Sequence, residues 1–175
     1  MMGRRPGDAV AFVESVERAT NEYRSDAVYD IFAVDARWMA VTDGACEESV
    51  GIYAIHNAWA LACTTFKAQQ FKVRKHIVAA TDDTIVNEWC GGPRGRTDGC
   101  GIEIWRFDDE GKVIDQHAYN CLKVRSPLHP IQVLKLLLSS PGMTLAAGWA
   151  RLLHQRPDRS RRLAGALDSR GPGAT

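Results

Sequence analysis

The stretch 99–119, Gly-Cys-Gly-Ile-Glu-Ile-Trp-Arg-Phe-Asp-Asp-Glu-Gly-Lys-Val-Ile-Asp-Gln-His-Ala-Tyr, constrains this chain more than any other. It reads as two long strands joined by a tight acidic turn. Each strand carries polar groups inside an apolar run: Glu103 between Ile102 and Ile104, then Gln116 and His117 between Ile114 and Ala118. A charged or amide side chain in mid-strand needs either solvent on that face or a lined cavity. Solvent would make the sheet an inert layer. A cavity would make it the wall of a small-molecule site.

The preceding chain supplies helices and further strands. Asp8 can cap a helix over Ala9–Glu22, with Phe12, Val13, Val16 and Ala19 or Thr20 on one face. A short helix is expected near Ser25–Ala33, and a strand over Ala36–Val41, ended by a Thr42-Asp43-Gly44 turn. Ile52, Ile55, Trp59, Cys63 and Phe66 recur at helical spacing, so Val50–Phe66 is expected as a third helix. The period then changes to two. Strands are expected at Phe71–Ala80, Thr84–Cys90, Cys100–Phe107 and Lys112–Val124. Helices first and an antiparallel sheet afterwards make an α+β plan. Pro127 and Pro130 mark a boundary. Beyond it Ile131–Leu138 and Met143–His154 read as amphipathic helices, and the composition of 156–175 predicts disorder.

The length of 175 residues suits one domain, 1–124, with an extension, 125–175. Charge separates the two. Residues 1–122 hold 13 Lys and Arg against 19 Asp and Glu, a net −6, whereas residues 123–175 hold 9 against 2, a net +7. The leucine-rich basic tail is read first as packing on its own body or a sister body, second as a membrane-surface helix, and last as a nucleic-acid binder, since no aromatic platform accompanies its arginines. No run approaches the roughly 18 apolar residues of a membrane span. The N-terminal stretch does not read as a secretory signal. Cys46, Cys63, Cys90, Cys100 and Cys121 are widely spaced and form no C-x-x-C. Buried, reduced thiols in a cytoplasmic protein are the expectation, although Cys90 and Cys100 could face each other across a hairpin. The spacing signals no metal site. The Gly91-Gly-Pro-Arg-Gly-Arg96 loop is not a phosphate cradle, because it joins strands and lacks the Gly-Lys-Ser/Thr ending.

The layout resembles the nuclear-transport-factor-2-like superfamily, in particular its SnoaL-like polyketide cyclase and ketosteroid isomerase branch. The resemblance covers about residues 9–124. It is carried by Asp35-Ala36, by Gly51-x-x-Ala54-Ile55, by Ile102-Glu-Ile-Trp-Arg-Phe107, and by Gly111-Lys-Val113 with Ala118-Tyr119. It implies a cone: a curved antiparallel sheet around a pocket that N-terminal helices close. It also implies an apolar small-molecule ligand, no cofactor and a homodimer formed through the sheet. In ketosteroid isomerases an acid at the position of Glu103 donates a hydrogen bond to a substrate oxygen. The chain departs from the pattern elsewhere. The isomerase's general-base aspartate would fall at Ala40, and its tyrosine at Val16. The aspartate of limonene-epoxide-hydrolase-like members would fall at Ala118.

Strand alternation then assigns the candidates. Glu103, Trp105 and Phe107 share one face; on the last strand that face is Gln116, Ala118 and Asn120, with His117 opposite. Glu103 is the expected substrate-binding acid. Glu88 and Asp43 are the candidate proton acceptors, but either face of Thr84–Cys90 could point inward, and Asp43 also reads as an ordinary turn residue. Trp38, Trp105 and Phe107 are expected to shape the cavity, and Gln116 and Asn120 to orient polar groups. The corresponding function is a cofactor-independent cyclase or isomerase working by acid–base chemistry on a polyketide- or terpenoid-like molecule. A non-catalytic binding or dimerising module is the second reading, and an epoxide-opening cyclase or hydrolase the third.

Overall fold

The computed structural model describes residue 4 and residues 6–124 and 129–154. It divides into two units, Met1–Val124 and Arg125–Thr175.

In the first unit, α1 (Ala9–Glu22) begins where the Asp8 carboxylate accepts from the Ala11 amide at 2.9 Å. That bond satisfies one of the amides a helix start leaves without partners. Its apolar stripe, Val13, Val16 and Ala19, is buried. A short α2 (Ala27–Ile31) leads into β1 (Phe32–Thr42). The expected turn follows, but it starts a hairpin. Asp43 and Gly44 both have positive φ (50° and 93°), and Thr42 pairs with Ala45 of β2 (Ala45–Val50). Asp-Gly in a two-residue loop suits this geometry, because a side-chain-free residue takes the left-handed conformation without strain. Next come α3 (Ile52–Gln69), β3 (Phe71–Ala80), β4 (Thr84–Pro93), β5 (Gly99–Phe107) and β6 (Val113–Cys121).

The six strands form one sheet in the order β2-β1-β6-β5-β4-β3. All pairings are antiparallel except β1 with β6, which is parallel, so the sheet is mixed. Irregular registers at Phe32/Arg37, Ile77/Ala79 and Arg106/Phe107 interrupt the ladders. Such irregularities bend strands and sharpen their twist. The helices lie against one face. Edge strand β3 is held by α1: the Asn21 amide both donates to the Val73 carbonyl (2.9 Å) and accepts from its N–H (2.8 Å), and Glu17 accepts from the Lys75 N–H at 2.7 Å. These bonds satisfy backbone groups that an open sheet edge would expose. At one end of the inner face Phe12 packs edge-on against Trp105 and Phe107, and Ile55, Ile85 and Val113 are fully buried beside them.

The second unit contains α4 (Pro130–Ser139) and α5 (Pro141–His154), which touch each other. Residues 156–175, expected to be disordered, lie outside the described residues.

Candidate active site

The inner face encloses a cavity of about 270 Å³. Its walls come from α1 (Val16, Ala19), α2 (Ala27, Val28), α3 (Ile55, Trp59) and the sheet. Most of the lining is apolar. Trp38 of β1 meets Trp59 of α3 edge-on, their rings 6.4 Å apart, and both line the cavity. The exposed lining residues Glu47, Leu61 and Thr65 mark the mouth.

A charged pair sits within this apolar lining. Glu103 of β5 receives the Lys75 ammonium of β3, whose Nζ lies 2.6 Å from Oε1 and 2.5 Å from Oε2. The Lys75 side chain is 3% exposed and that of Glu103 12%. Asn87 of β4 stands between the two strands. Its Nδ2 donates to Glu103 Oε2 at 2.9 Å, and its Oδ1 accepts from Trp105 Nε1 at 2.7 Å. The chain Trp105–Asn87–Glu103–Lys75 therefore crosses β5, β4 and β3 on the inner face. Every partner of Glu103 in it is a donor, so its neighbours set the carboxylate up to accept hydrogen bonds. The Trp105 indole, expected as a wall, is both wall and the last donor of the network. An ammonium has three N–H groups. Among the described residues both acceptors of Lys75 Nζ are on Glu103, which leaves one donor for a molecule in the cavity.

Gln116 of β6 is 3% exposed and lines the cavity, and among the described residues its amide makes no hydrogen bond. Its carbonyl oxygen and two N–H donors are therefore available to a polar ligand atom in the cavity. Asn120, farther along β6, is already engaged: its Oδ1 accepts from Trp89 Nε1 at 3.1 Å, and its Nδ2 lies 3.3 Å from Thr42 Oγ1. The Trp89 indole reaches it by crossing β5 at Gly101, where a Cβ would come 2.4 Å from Nε1.

Three expected site residues lie elsewhere. Glu88 is on the outer face, half exposed and 2.5 Å from His76 Nε2. The inward face of β4 is Ile85, Asn87 and Trp89, which gives the better burial of apolar area. Asp43 is an exposed turn residue whose carboxylate accepts from the Leu122 N–H at 3.3 Å. Phe107 shares the face of Glu103, but past the Arg106/Phe107 irregularity it belongs to the solid core against Phe12, not to the cavity lining. His117 lies on the outer face, 3.2 Å from Asp115. The thiols also differ from expectation. Only Cys63 is buried, and burial pushes it up to about 11; Cys46, Cys90 and Cys100 are exposed and Cys121 half-buried.

The three positions at which relatives' catalytic groups would fall, Val16, Ala40 and Ala118, all line the cavity and all are apolar. Lys75 and Asn87, the two residues that bond to Glu103, are site residues the sequence did not single out. Lys75 had a signal: in Phe71-x-Val73-x-Lys75-x-Ile77 it occupies an apolar alternation, as Glu103 does in its own strand. Among the described residues no group of His, Cys, Asp and Glu could hold a metal ion.

This α+β arrangement, helices over one face of a curved sheet with a cavity between them, is similar in fold to solved SnoaL-like and steroid-isomerase structures. A steroid delta-isomerase from Pseudomonas aeruginosa superposes with a TM-score of 0.52 at 20% identity, over 83% of this chain and 97% of that one. A SnoaL-like protein of unknown function from Burkholderia thailandensis gives 0.50 at 18% identity, over 63% and 94%. At these identities the likeness is one of fold. No protein-family model matches the sequence. No curated protein matches it either.

Proposed function

We propose that the chain is a cofactor-independent isomerase or cyclase that moves a proton on an apolar carbonyl compound of polyketide or terpenoid type, in the cytoplasm. The observation that carries this reading is the buried Lys75–Glu103 pair in an otherwise apolar cavity. Glu103 takes a proton from the carbon next to the carbonyl. Lys75 and Gln116 hold the oxygen on which negative charge develops, and donors placed there in advance act strongly where water is excluded. Where the enolate is conjugated with a C=C bond, return of the proton from Glu103 to the far carbon completes an isomerisation; where the enolate carbon attacks a second carbonyl, the alkoxide that forms takes up that proton and completes a cyclisation. The role expected of Glu103 as a hydrogen-bond donor passes to Lys75, because Glu103 is itself surrounded by donors. The cavity is at the small end of ligand sites, which favours a one- or two-ring substrate.

The same lining would serve a carrier that binds without turnover, and the apolar residues at Val16, Ala40 and Ala118 favour that second reading. One experiment separates the two. A panel of cyclic ketones is incubated with the full chain in deuterium oxide, and exchange of the protons next to the carbonyl is followed by NMR, with quenching of tryptophan fluorescence reporting binding. Enzyme-dependent exchange that falls by about 10²–10⁴-fold in Glu103→Gln, with binding kept, supports the catalytic reading. Equal exchange in Glu103→Gln contradicts it, and binding without exchange in the wild type gives the carrier.

A further inference from the structure

The outer face of the sheet carries a row of thiols that the cavity does not use. Cys90 of β4 is in register with Cys100 of β5, and Cys100 with Cys121 of β6. All three line one shallow groove on that face, with Cys90 and Cys100 exposed and Cys121 half-buried. Residues directly opposite in antiparallel strands have Cα atoms about 4.5–5.5 Å apart, within the span of about 4.4–6.8 Å that a disulfide tolerates. Either neighbouring pair can therefore be joined with little strand movement. The central thiol, Cys100, has a partner on each side.

We propose that Cys90, Cys100 and Cys121 form a thiol relay, oxidised by a small anionic disulfide of the glutathione class. The Cys100 thiolate attacks one sulfur of the small disulfide. A protein–glutathione bond forms and one glutathione thiolate leaves. The thiolate of Cys90 or Cys121 then attacks the Cys100 sulfur, forms the cross-strand bond and expels the second glutathione. Two protein thiols are oxidised, one small disulfide is reduced to two thiols, and the two protein protons end on them. The remaining cysteine can attack Cys100 in turn, which moves the disulfide from one side of the row to the other with no net oxidation. Arg74, exposed and opposite Cys90, extends the row with a cation suited to an anionic oxidant. Glu88, the acid in the same groove, is paired with His76. Cys46 is opposite Val41 and has no thiol in register, and Cys63 is buried in α3.

The row lies directly behind the cavity. Trp89 and Asn120, which bond to each other across Gly101, precede Cys90 and Cys121 in sequence and line both the groove and the cavity. A disulfide on the outer face thus fixes the strands that hold this part of the wall.

The test is incubation of the full chain with glutathione disulfide, followed by non-reducing digestion and mass spectrometry. The expected product has lost two hydrogens and holds its cross-link between 90 and 100 or between 100 and 121. Cys90→Ser and Cys121→Ser should each keep one of these links, and Cys100→Ser should keep neither. If Cys100→Ser does not fold, the Cys90→Ser/Cys121→Ser double variant must lose the link instead. Glutathione adducts without a cross-link in the wild type would overturn the proposal, as would a link that persists in Cys100→Ser or in the double variant.

Discussion

Removing the ammonium from the Lys75–Glu103 pair should be costly, and putting apolar residues in both places should not. Lys75→Met keeps the length of the side chain and leaves the Glu103 carboxylate, 12% exposed, with Asn87 as its remaining donor. Breaking a buried pair by deleting one partner costs about 3–5 kcal/mol, because a charge is left without compensation. Glu103 keeps the Asn87 donor and is not fully sealed, which places the expected loss at the lower end, about 3 kcal/mol. With a urea slope of about 2 kcal/mol per M for a chain of this size, the midpoint should fall by about 1.5 M. Glu103→Leu should cost a similar amount by stranding Lys75. The Lys75→Met/Glu103→Leu double variant should recover most of the loss, since apolar replacement of a whole buried pair is often close to neutral. Urea unfolding of the four proteins, followed by tryptophan fluorescence and circular dichroism together, completes the cycle. Strict additivity of the two single losses, or a loss below about 1 kcal/mol in Lys75→Met, would refute the reasoning that the pair is buried and coupled.

Other consequences follow from single contacts. Asp8→Ala removes the cap of α1 and should lower stability by about 1 kcal/mol, read as a drop in thermal midpoint, with Asp8→Asn close to wild type. Gly101→Ala brings a Cβ 2.4 Å from Trp89 Nε1 and 2.5 Å from the Tyr119 carbonyl oxygen; the backbone atom cannot swing away, so a loss of about 1–3 kcal/mol and a changed tryptophan emission are expected. Burial holds the Cys63 thiol at about 11, so at pH 8 iodoacetamide should label Cys90 and Cys100 well before Cys63, and denaturation should abolish the difference in peptide mass spectra.

Local chemistry explains which elements could be read in advance. α1 has both its cap and its apolar stripe in the sequence, and β3 is found over the expected Phe71–Ala80. β2 escaped the reading because Ala45-Cys46-Glu47-Glu48-Ser49-Val50 has little strand character of its own; it is a strand because the Asp43-Gly44 turn folds it onto β1. The parallel pairing of β1 with β6 joins residues far apart in sequence, and no local pattern encodes it. The site divides in the same way. Alternation placed Glu103, Trp105 and Gln116 on one face. It could not say which face of β4 was inward, so Glu88 stood as a candidate where Asn87 is found. Lys75 was visible by the same alternation argument, but its meeting with Glu103 depends on β4 lying between their strands. The exposed position of Cys90 and Cys100 depends on that same inward face.

The most direct test of a Lys75–Glu103 site for carbonyl compounds is a crystal structure of the full chain with a cyclic ketone bound. The ketone oxygen should lie about 2.7–3.2 Å from Lys75 Nζ, within reach of the Gln116 amide, and a carbon next to the carbonyl should face Glu103. A ketone held only outside the cavity would contradict this assignment. So would one bound with its oxygen toward the mouth and the pair undisturbed.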